Sequence, residues 1–363
     1  MPDRRPERIE ALRRRLASEG LDALAITSLP NIRYLTGFSG SSALMVVTAG
    51  AVLFLSDFRY RDQARDEVGE LARIAIGNGG LWERVFQMLP EHPAVAEVGY
   101  ESHVLTAREA ARLGEPGRPW RFRGVVDLVE DLRAVKDADE VAAIEAAGRV
   151  ATLALAQTLP QVRAGQTELE IAALLESALR RGGSEWYAFP SIVASGPRAA
   201  LPHAGTSERV VAPGDWLLLD FGAVVRGYCS DITRTFVVGA PPTDRQREVY
   251  ALVQRAQRAA LDGLRAGLTG RQGDALARDV IAAGGQGEAF GHSLGHGVGL
   301  EVHEAPRLAQ TAAETLAAGA VVTVEPGVYL EGWGGVRIED DVVLTGGGAT
   351  LLTEFPRDLI RLD

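Results

Sequence analysis

Residues 216–238 read WLLLDFGAVVRGYCSDITRTFVV. Trp216 to Phe221 is an apolar strand that ends in an acid, Asp220. Arg226-Gly227 supplies a turn, and Cys229 to Val238 supplies a returning strand that carries Asp231. In a hairpin centred near residue 226 the two aspartates face each other within about one register step, because they sit on different strands. Two anions at that range repel, so the arrangement requires a cation or a shared proton.

The same plan recurs downstream. Val321-Val-Thr-Val-Glu325 is an apolar strand ending in an acid, Pro326-Gly327 follows, and Val336 to Leu344 returns with Glu339. A third element, residues 291–304, reads GHSLGHGVGLEVHE and packs His292, His296 and His303 into twelve residues. Singly, a strand-end acid is a solvated turn residue, a histidine is an ordinary core or surface residue, and a glycine-rich stretch is a loop. Together they bring four carboxylates and an imidazole into one region, a donor set that suits two hard or borderline divalent ions such as manganese, cobalt or zinc. Without cations the four acids would have to take up protons or repel one another. Glycine is in excess, 41 of 363 residues or about 11% against the usual ~7%. It clusters beside these acids and histidines, where it lets backbone approach closely and turn tightly.

Composition narrows the function classes. The net charge is −10, and the basic cluster Arg4, Arg5, Arg8, Arg13, Arg14 and Arg15 alternates with Glu7, Glu10 and apolar residues, as on a solvated helix face. No nucleic-acid partner is expected from that balance. The longest apolar stretch, Ala43 to Leu55, is interrupted by Thr48 and Gly50 and is too short to span a bilayer, so no membrane partner is expected. One cysteine, Cys229, excludes an internal disulfide and fits a reducing, cytoplasmic location. It reads as a small buried residue. Gly291-His-Ser293-Leu-Gly295 matches a nucleophile elbow only as a string, since no buried strand precedes it and Gly297 and Gly299 would spoil the helix that must follow. Gly37-Phe-Ser-Gly40-Ser41-Ser42 lacks the lysine of a phosphate loop.

The chain divides near residue 132. Residues 1–131 alternate helices and strands and are expected to form an α/β domain: a helix over Glu7 to Glu19, a buried strand over Leu21 to Ile26, a turn region at Asn31 to Tyr34, and a hairpin of Ala43 to Val47 with Ala51 to Leu55. Residues 132–363 mix helices with hairpin-spaced strands, an α+β pattern. Asp137 or Asp139 caps a long alanine-rich helix. Thr167-Glu-Leu-Glu170 opens a second helix, ended by Gly182-Gly183, and Thr243-Asp-Arg-Gln246 opens a third, to about Arg265.

These motifs, in this order over residues 138–355, resemble the pita-bread metallopeptidase family: Leu201-Pro-His203, Leu219-Asp220-Phe-Gly222, Ser230-Asp231-Ile-Thr-Arg234, Gly295-His296-Gly-Val-Gly299 with His303-Glu304, Val324-Glu325-Pro-Gly327 and Val336-Arg337-Ile-Glu339-Asp340. Asn31-Ile-Arg-Tyr-Leu-Thr-Gly37 and Ser56-Asp57-Phe-Arg59-Tyr60 resemble the extra N-terminal domain of its proline-specific and creatinase branch. The resemblance implies a pita-bread catalytic domain behind a creatinase-like α/β domain. It implies Asp220, Asp231, His296, Glu325 and Glu339 as ligands of two divalent ions, manganese first with cobalt or zinc also suitable, Asp231 and Glu339 bridging. It further implies Glu325 as general base, His203 and His303 as donors to the tetrahedral intermediate, His292 as a further histidine of the proline-specific branch, and Arg337 as the residue that orients a carboxylate behind the ligands. A complete ligand set disfavours creatinase.

The expected activity is therefore hydrolysis of the N-terminal Xaa-Pro bond by a hydroxide held between two ions, on peptides with proline at the second position. Aminopeptidase P is the first reading, on the N-terminal motifs and the short chain. A prolidase restricted to dipeptides is the alternative, and a non-catalytic peptide-binding protein the remote one. The family resemblance implies a homodimer or higher homo-oligomer.

Overall fold

The computed structural model describes residues 3–363. The chain separates into two compact units, one up to Arg133 and one over Ala134–Asp363. The first is built on a six-stranded sheet. Strand Ala23–Ile26 lies centrally, antiparallel to Ala43–Thr48 and parallel to Glu97–Glu101. Val52–Ser56 and Arg73–Ile76 extend one side, and Arg121–Val125 the other. Helix Arg5–Ser18 buries Ile9, Leu12 and Leu16. Its arginines are not merely solvated: Arg5 donates to the carbonyls of Thr36 (2.7 Å) and Glu67 (2.5 Å), Arg8 to that of Tyr34 and Arg13 to that of Thr48. The expected turn at Asn31 to Tyr34 is instead helix Leu29–Thr36. Ser28 caps it, Pro30 sits in its first turn, and Gly37 closes it in the left-handed region at φ 80°. Those start and stop signals outweigh the weak helix preference of Asn31.

The second unit carries a four-stranded and a five-stranded sheet. Strand Trp216–Phe221 is buried along its whole length. Trp216 and Leu218 face one core with Val253, Ile281, Val322 and Val342, while Leu217, Leu219 and Phe221 face another with Leu155, Ile171 and Leu175. That two-sided burial is why the run has no polar alternation. Helices Ala138–Thr158 and Glu168–Arg181 supply the second core, and Asp244–Gly263 with Gly270–Ala283 supply the first. Reciprocal capping boxes start all four, at Asp137, Thr167, Thr243 and Thr269. The last of these, Thr269-Gly-Arg-Gln272, is a helix start that the sequence reading passes over. Among the described residues no helix is long and apolar enough to cross a membrane.

Two hairpins dominate this unit. In the first, Trp216–Phe221 pairs with Ile232–Val238, Asp220 opposite Thr233, and the same register continues into Val224–Val225 with Tyr228–Cys229. Arg226 (φ 53°) and Gly227 (φ 78°) form its tip, both left-handed as a tight two-residue hairpin turn requires. In the second, Val321–Val324 pairs with Asp340–Thr345, and Gly327–Leu330 pairs with Gly334–Arg337 in the same register. The continuous strands expected over Cys229 to Val238 and Val336 to Leu344 are thus each broken beside an acid. The reason is visible in the backbone bonds. Asp231 N–H donates to Asp341 Oδ2 (2.9 Å), Glu339 N–H to the Thr233 carbonyl (3.1 Å), and Glu325 N–H to the Leu294 carbonyl (2.9 Å). At the acids the ladders give up pairing within their own hairpin and stitch the two hairpins and the histidine segment together.

Candidate metal centre

The break points converge. Asp220 is opposite Thr233, so Asp231 is its diagonal neighbour two residues away, not one register step. The two therefore share a face. Glu325 and Glu339 continue the register that puts Val324 opposite Asp340, and so lie across from each other. Strand Gly295–Gly297 joins the second hairpin through Gly297 and Val322, which sets His296 beside them. Ligand atoms of Asp231, His296 and Glu339 all lie within 4.8 Å of one another. His296 Nε2 is 3.4 Å from Glu325 Oε1 and 3.8 Å from Asp231 Oδ2.

Charges this close and this buried must be neutralised, by bound cations or by protons. Burial, then Glu339 and Asp220, push the Asp231 carboxyl well above its ordinary range. Burial, then Glu325 and Asp220, do the same to Glu339. Burial pushes Glu325 up to about 8. His296 cannot neutralise them, because burial and then His303 hold it down to about 4. Its Nδ1 lies 3.1 Å from the Gly297 carbonyl, which only accepts, so Nδ1 carries the hydrogen and the Nε2 lone pair faces the carboxylates. Among the described residues the buried oxygens Asp220 Oδ1 and Asp231 Oδ1 have no hydrogen-bond partner. A neutral imidazole lone pair, four converging carboxylates and orphaned oxygens fit divalent cations bound by nitrogen and oxygen.

The surroundings hold these groups in place. Thr233 Oγ1 donates to Glu339 Oε2 (2.5 Å) and accepts from Arg337 Nε (3.0 Å), and Thr323 Oγ1 donates to Glu325 Oε1 (3.2 Å). Arg337 is 3% exposed, and its Nη2 donates directly to Asp220 Oδ2. It therefore grips a ligand candidate itself rather than a carboxylate behind the ligands. Its Nη1 donates to Tyr329 Oη (2.7 Å) and to the Pro202 carbonyl (3.3 Å), tethering the His203 loop. Tyr329 Oη in turn meets His292 Nε2 at 2.9 Å, while His292 Nδ1 faces the Ser293 carbonyl at 2.8 Å. With Arg337 donating to Tyr329 Oη, the tyrosine hydroxyl can donate to a bare Nε2 of a neutral His292 whose Nδ1–H faces the Ser293 carbonyl. Burial, then Arg337, hold His292 down to about 4. His303 stands edge-on to His296, ring centroids 4.2 Å apart, and His203 lies close enough to interact electrostatically with both His292 and His303. All nine expected site residues thus fall in one neighbourhood. Cys229 is buried against Ile144, Val298 and Leu352, away from ligand duty.

That neutral His292 has a pH consequence. Its folded pKa lies below the ordinary 6.5, so between about 6.5 and 4 the unfolded chain binds a proton that the native one does not. This share of stability is complete above pH 6.5 and is lost as pH falls toward 4, on the order of 3 kcal/mol in all. Urea titrations of metal-loaded wild type and His292→Asn from pH 7 to 4.5 should show a flatter acid slope for the variant. Equal slopes would count against the buried neutral histidine.

Several residues escaped the sequence reading. Tyr329 and Asp341 lie outside the quoted motifs, and Thr233 and Thr323 lie inside quoted stretches without a role of their own. For Tyr329 the second hairpin's register was the available signal, since it sets a bulky tyrosine opposite Gly335 and diagonal to Arg337. Arg307 is the other omission. It lies directly opposite His296 across Gly295–Gly297 and Glu304–Leu308, so the two side chains share a face. Its charge helps hold both His296 and His303 down. Its side chain is exposed and makes no ion pair or hydrogen bond among the described residues.

Comparison with known proteins identifies the family. The model of metallopeptidase family M24 matches residues 142–346, and that of the creatinase/prolidase N-terminal domain matches residues 8–135. The Xaa-Pro dipeptidase of Pyrococcus furiosus is 35% identical over 356 residues, covering 98% of this chain and 99% of its own length. A solved Xaa-Pro dipeptidase from Bacillus anthracis has TM-score 0.95 and 40% identity, over 99% of this chain and 100% of that one. A solved X-Pro aminopeptidase from Thermotoga maritima has TM-score 0.90 and 38% identity, over 98% and 99%.

Proposed function

We propose that this chain, which belongs to metallopeptidase family M24, is an Xaa-Pro dipeptidase. The expectation of aminopeptidase P gives way to its alternative, which relatives named Xaa-Pro dipeptidase or prolidase support over the whole length. The single observation that carries the reading is Arg307, a guanidinium on the face of His296 with no hydrogen bond or ion pair among the described residues. A dipeptide ends in a carboxylate one residue past the scissile bond. A longer peptide has a neutral amide there. A cation on that face rewards the shorter substrate.

Asp220, Asp231, His296, Glu325 and Glu339 would hold two divalent ions, manganese being the first candidate. When bound, the ions supply Lewis acidity at the scissile carbonyl. The chain's own groups do the rest. Glu325 takes the proton of the attacking water and passes it to the proline nitrogen. His203 and His303 donate to the carbonyl oxygen as it gains charge. Arg337 fixes Asp220 and the His203 loop. His292, through Tyr329, fixes Arg337. The scissile Xaa-Pro amide is tertiary, so it offers no N–H, and the site needs no acceptor for one. We place the enzyme in the cytoplasm, with a homo-oligomeric assembly as the family resemblance implies.

The test is hydrolysis of an Xaa-Pro dipeptide beside an Xaa-Pro-Xaa tripeptide, each with added manganese, cobalt or zinc. Cleavage of the dipeptide with little or none of the tripeptide is expected. Efficient tripeptide cleavage would restore the aminopeptidase reading.

A further inference from the structure

Lys136 and Glu304 form an ion pair, Nζ to Oε1 2.7 Å, with side chains only 1% and 5% exposed. The chemistry proposed above does not use it. Two charges taken out of water stabilise a fold less than apolar residues of the same size would, so stability alone is a poor reason for the pair. Its location supplies a better one. The Lys136 N–H donates to the Gly319 carbonyl (2.9 Å), in the turn that leads into Val321–Val324 and Glu325. Glu304 directly follows His303, and its carboxylate folds back into the turn over residues 299–304. A Cβ on Gly299 would come within 2.3 Å of Glu304 Oε1. The Gly299 N–H donates to the Glu301 carbonyl (3.0 Å), and the Glu301 N–H points to Glu304 Oε2 at 3.4 Å. The turn is wrapped around this carboxylate, and Lys136 pins the carboxylate from the other side. His303 sits inside that turn and presents its ring edge-on to His296.

We infer that Lys136 is a positioning residue which, through Glu304, fixes the backbone of the 299–304 turn so that the His303 imidazole stands beside the metal centre. The inference rests on the proposed role of His303 as donor to the developing oxyanion. A donor of that kind works only when held in place before the charge appears. The loss on releasing it therefore falls on turnover rather than on substrate affinity.

The experiment is a double-mutant cycle in the metal-loaded, full-length enzyme with an Xaa-Pro dipeptide: Lys136→Met, His303→Ala and both together. Lys136→Met is expected to lower kcat by about tenfold, in the range of losses when a group that orients an active residue is removed. KM should stay within a few fold, and the bound metal per chain should match wild type. In the His303→Ala background the same substitution should cost less than about twofold, because its effect has already been taken. Independent, multiplying losses would overturn the inference while leaving the catalytic reading intact. An unchanged kcat in His303→Ala would overturn the His303 role and this inference with it. If Lys136→Met does not fold, Lys136→Met/Glu304→Met replaces the pair with apolar chains of similar length. That variant should regain a near-wild-type Tm and stay about tenfold low in kcat. Recovery of kcat together with Tm would show the pair to be structural only.

Discussion

Replacing Asp231 with asparagine is expected to abolish metal retention and activity while making the metal-free protein more stable. Asp231 sits where both hairpins and His296 meet, within 4.8 Å of the ligand atoms of His296 and Glu339. Its loss removes a donor from the proposed ion pair of sites, so metal content should fall from two ions to below one per chain. Turnover of an Xaa-Pro dipeptide should fall beyond the ~10²-fold that follows when only a supporting group is lost. Stability moves the other way in the chelated protein. Burial and the neighbouring acids raise the Asp231 carboxyl pKa above its unfolded value, so ionising it costs the native state. That cost is absent below about pH 4, where the carboxyl is protonated in both states, and grows as pH rises through the unfolded pKa. Each unit of displacement is worth about 1.4 kcal/mol. With metal removed, Asp231→Asn should therefore melt above wild type at pH 8, and the gap should close on acidification. With metal present the order should reverse. Retained metal and turnover in the variant would sink the ligand assignment.

The second large effect concerns substrate length. Arg307→Met keeps the aliphatic stem and removes the charge opposite His296. For an Xaa-Pro dipeptide, KM should rise about 10²-fold with kcat nearly unchanged. That is ~2.7 kcal/mol, the scale of hydrogen bonds to a charged group. A rise in KM alone marks binding shared by ground state and transition state, as expected of a clamp away from the reacting bond. For the same dipeptide with an amidated C-terminus the variant should equal wild type, and wild type should itself prefer the free acid by a similar factor. Equal effects on acid and amide would show that Arg307 does not read the carboxylate.

Much of this was legible before any coordinates. Two apolar strands ending in Asp220 and Glu325, with returning strands carrying Asp231 and Glu339, define two hairpins, because register follows from turn position and a period of two. Capping boxes at Thr167 and Thr243 set helix starts through local bonds within four residues, while the cap of the alanine-rich helix, open between Asp137 and Asp139 in the sequence, falls to Asp137. What local pattern left open was the break in each ladder. The sequence between Cys229 and Val238 reads as unbroken strand. It breaks because Asp231 N–H finds Asp341, 110 residues away, and no local propensity records so distant a partner. The helix at Leu29–Thr36 shows the opposite failure: its caps were local and readable, but Asn31 suggested a turn.

The sequence by itself determined the proposed donor set, the chemistry of its groups and the excess of glycine around it, since these depend on residue identity and near-neighbour spacing. Tertiary structure alone decided which oxygens are orphaned and which histidine nitrogen is bare. It also decided that Arg337 grips Asp220 while Arg307 has no ion pair or hydrogen bond among the described residues. These depend on burial and on partners brought together from distant positions, where a low dielectric makes each missing or unmet charge costly enough to dictate chemistry.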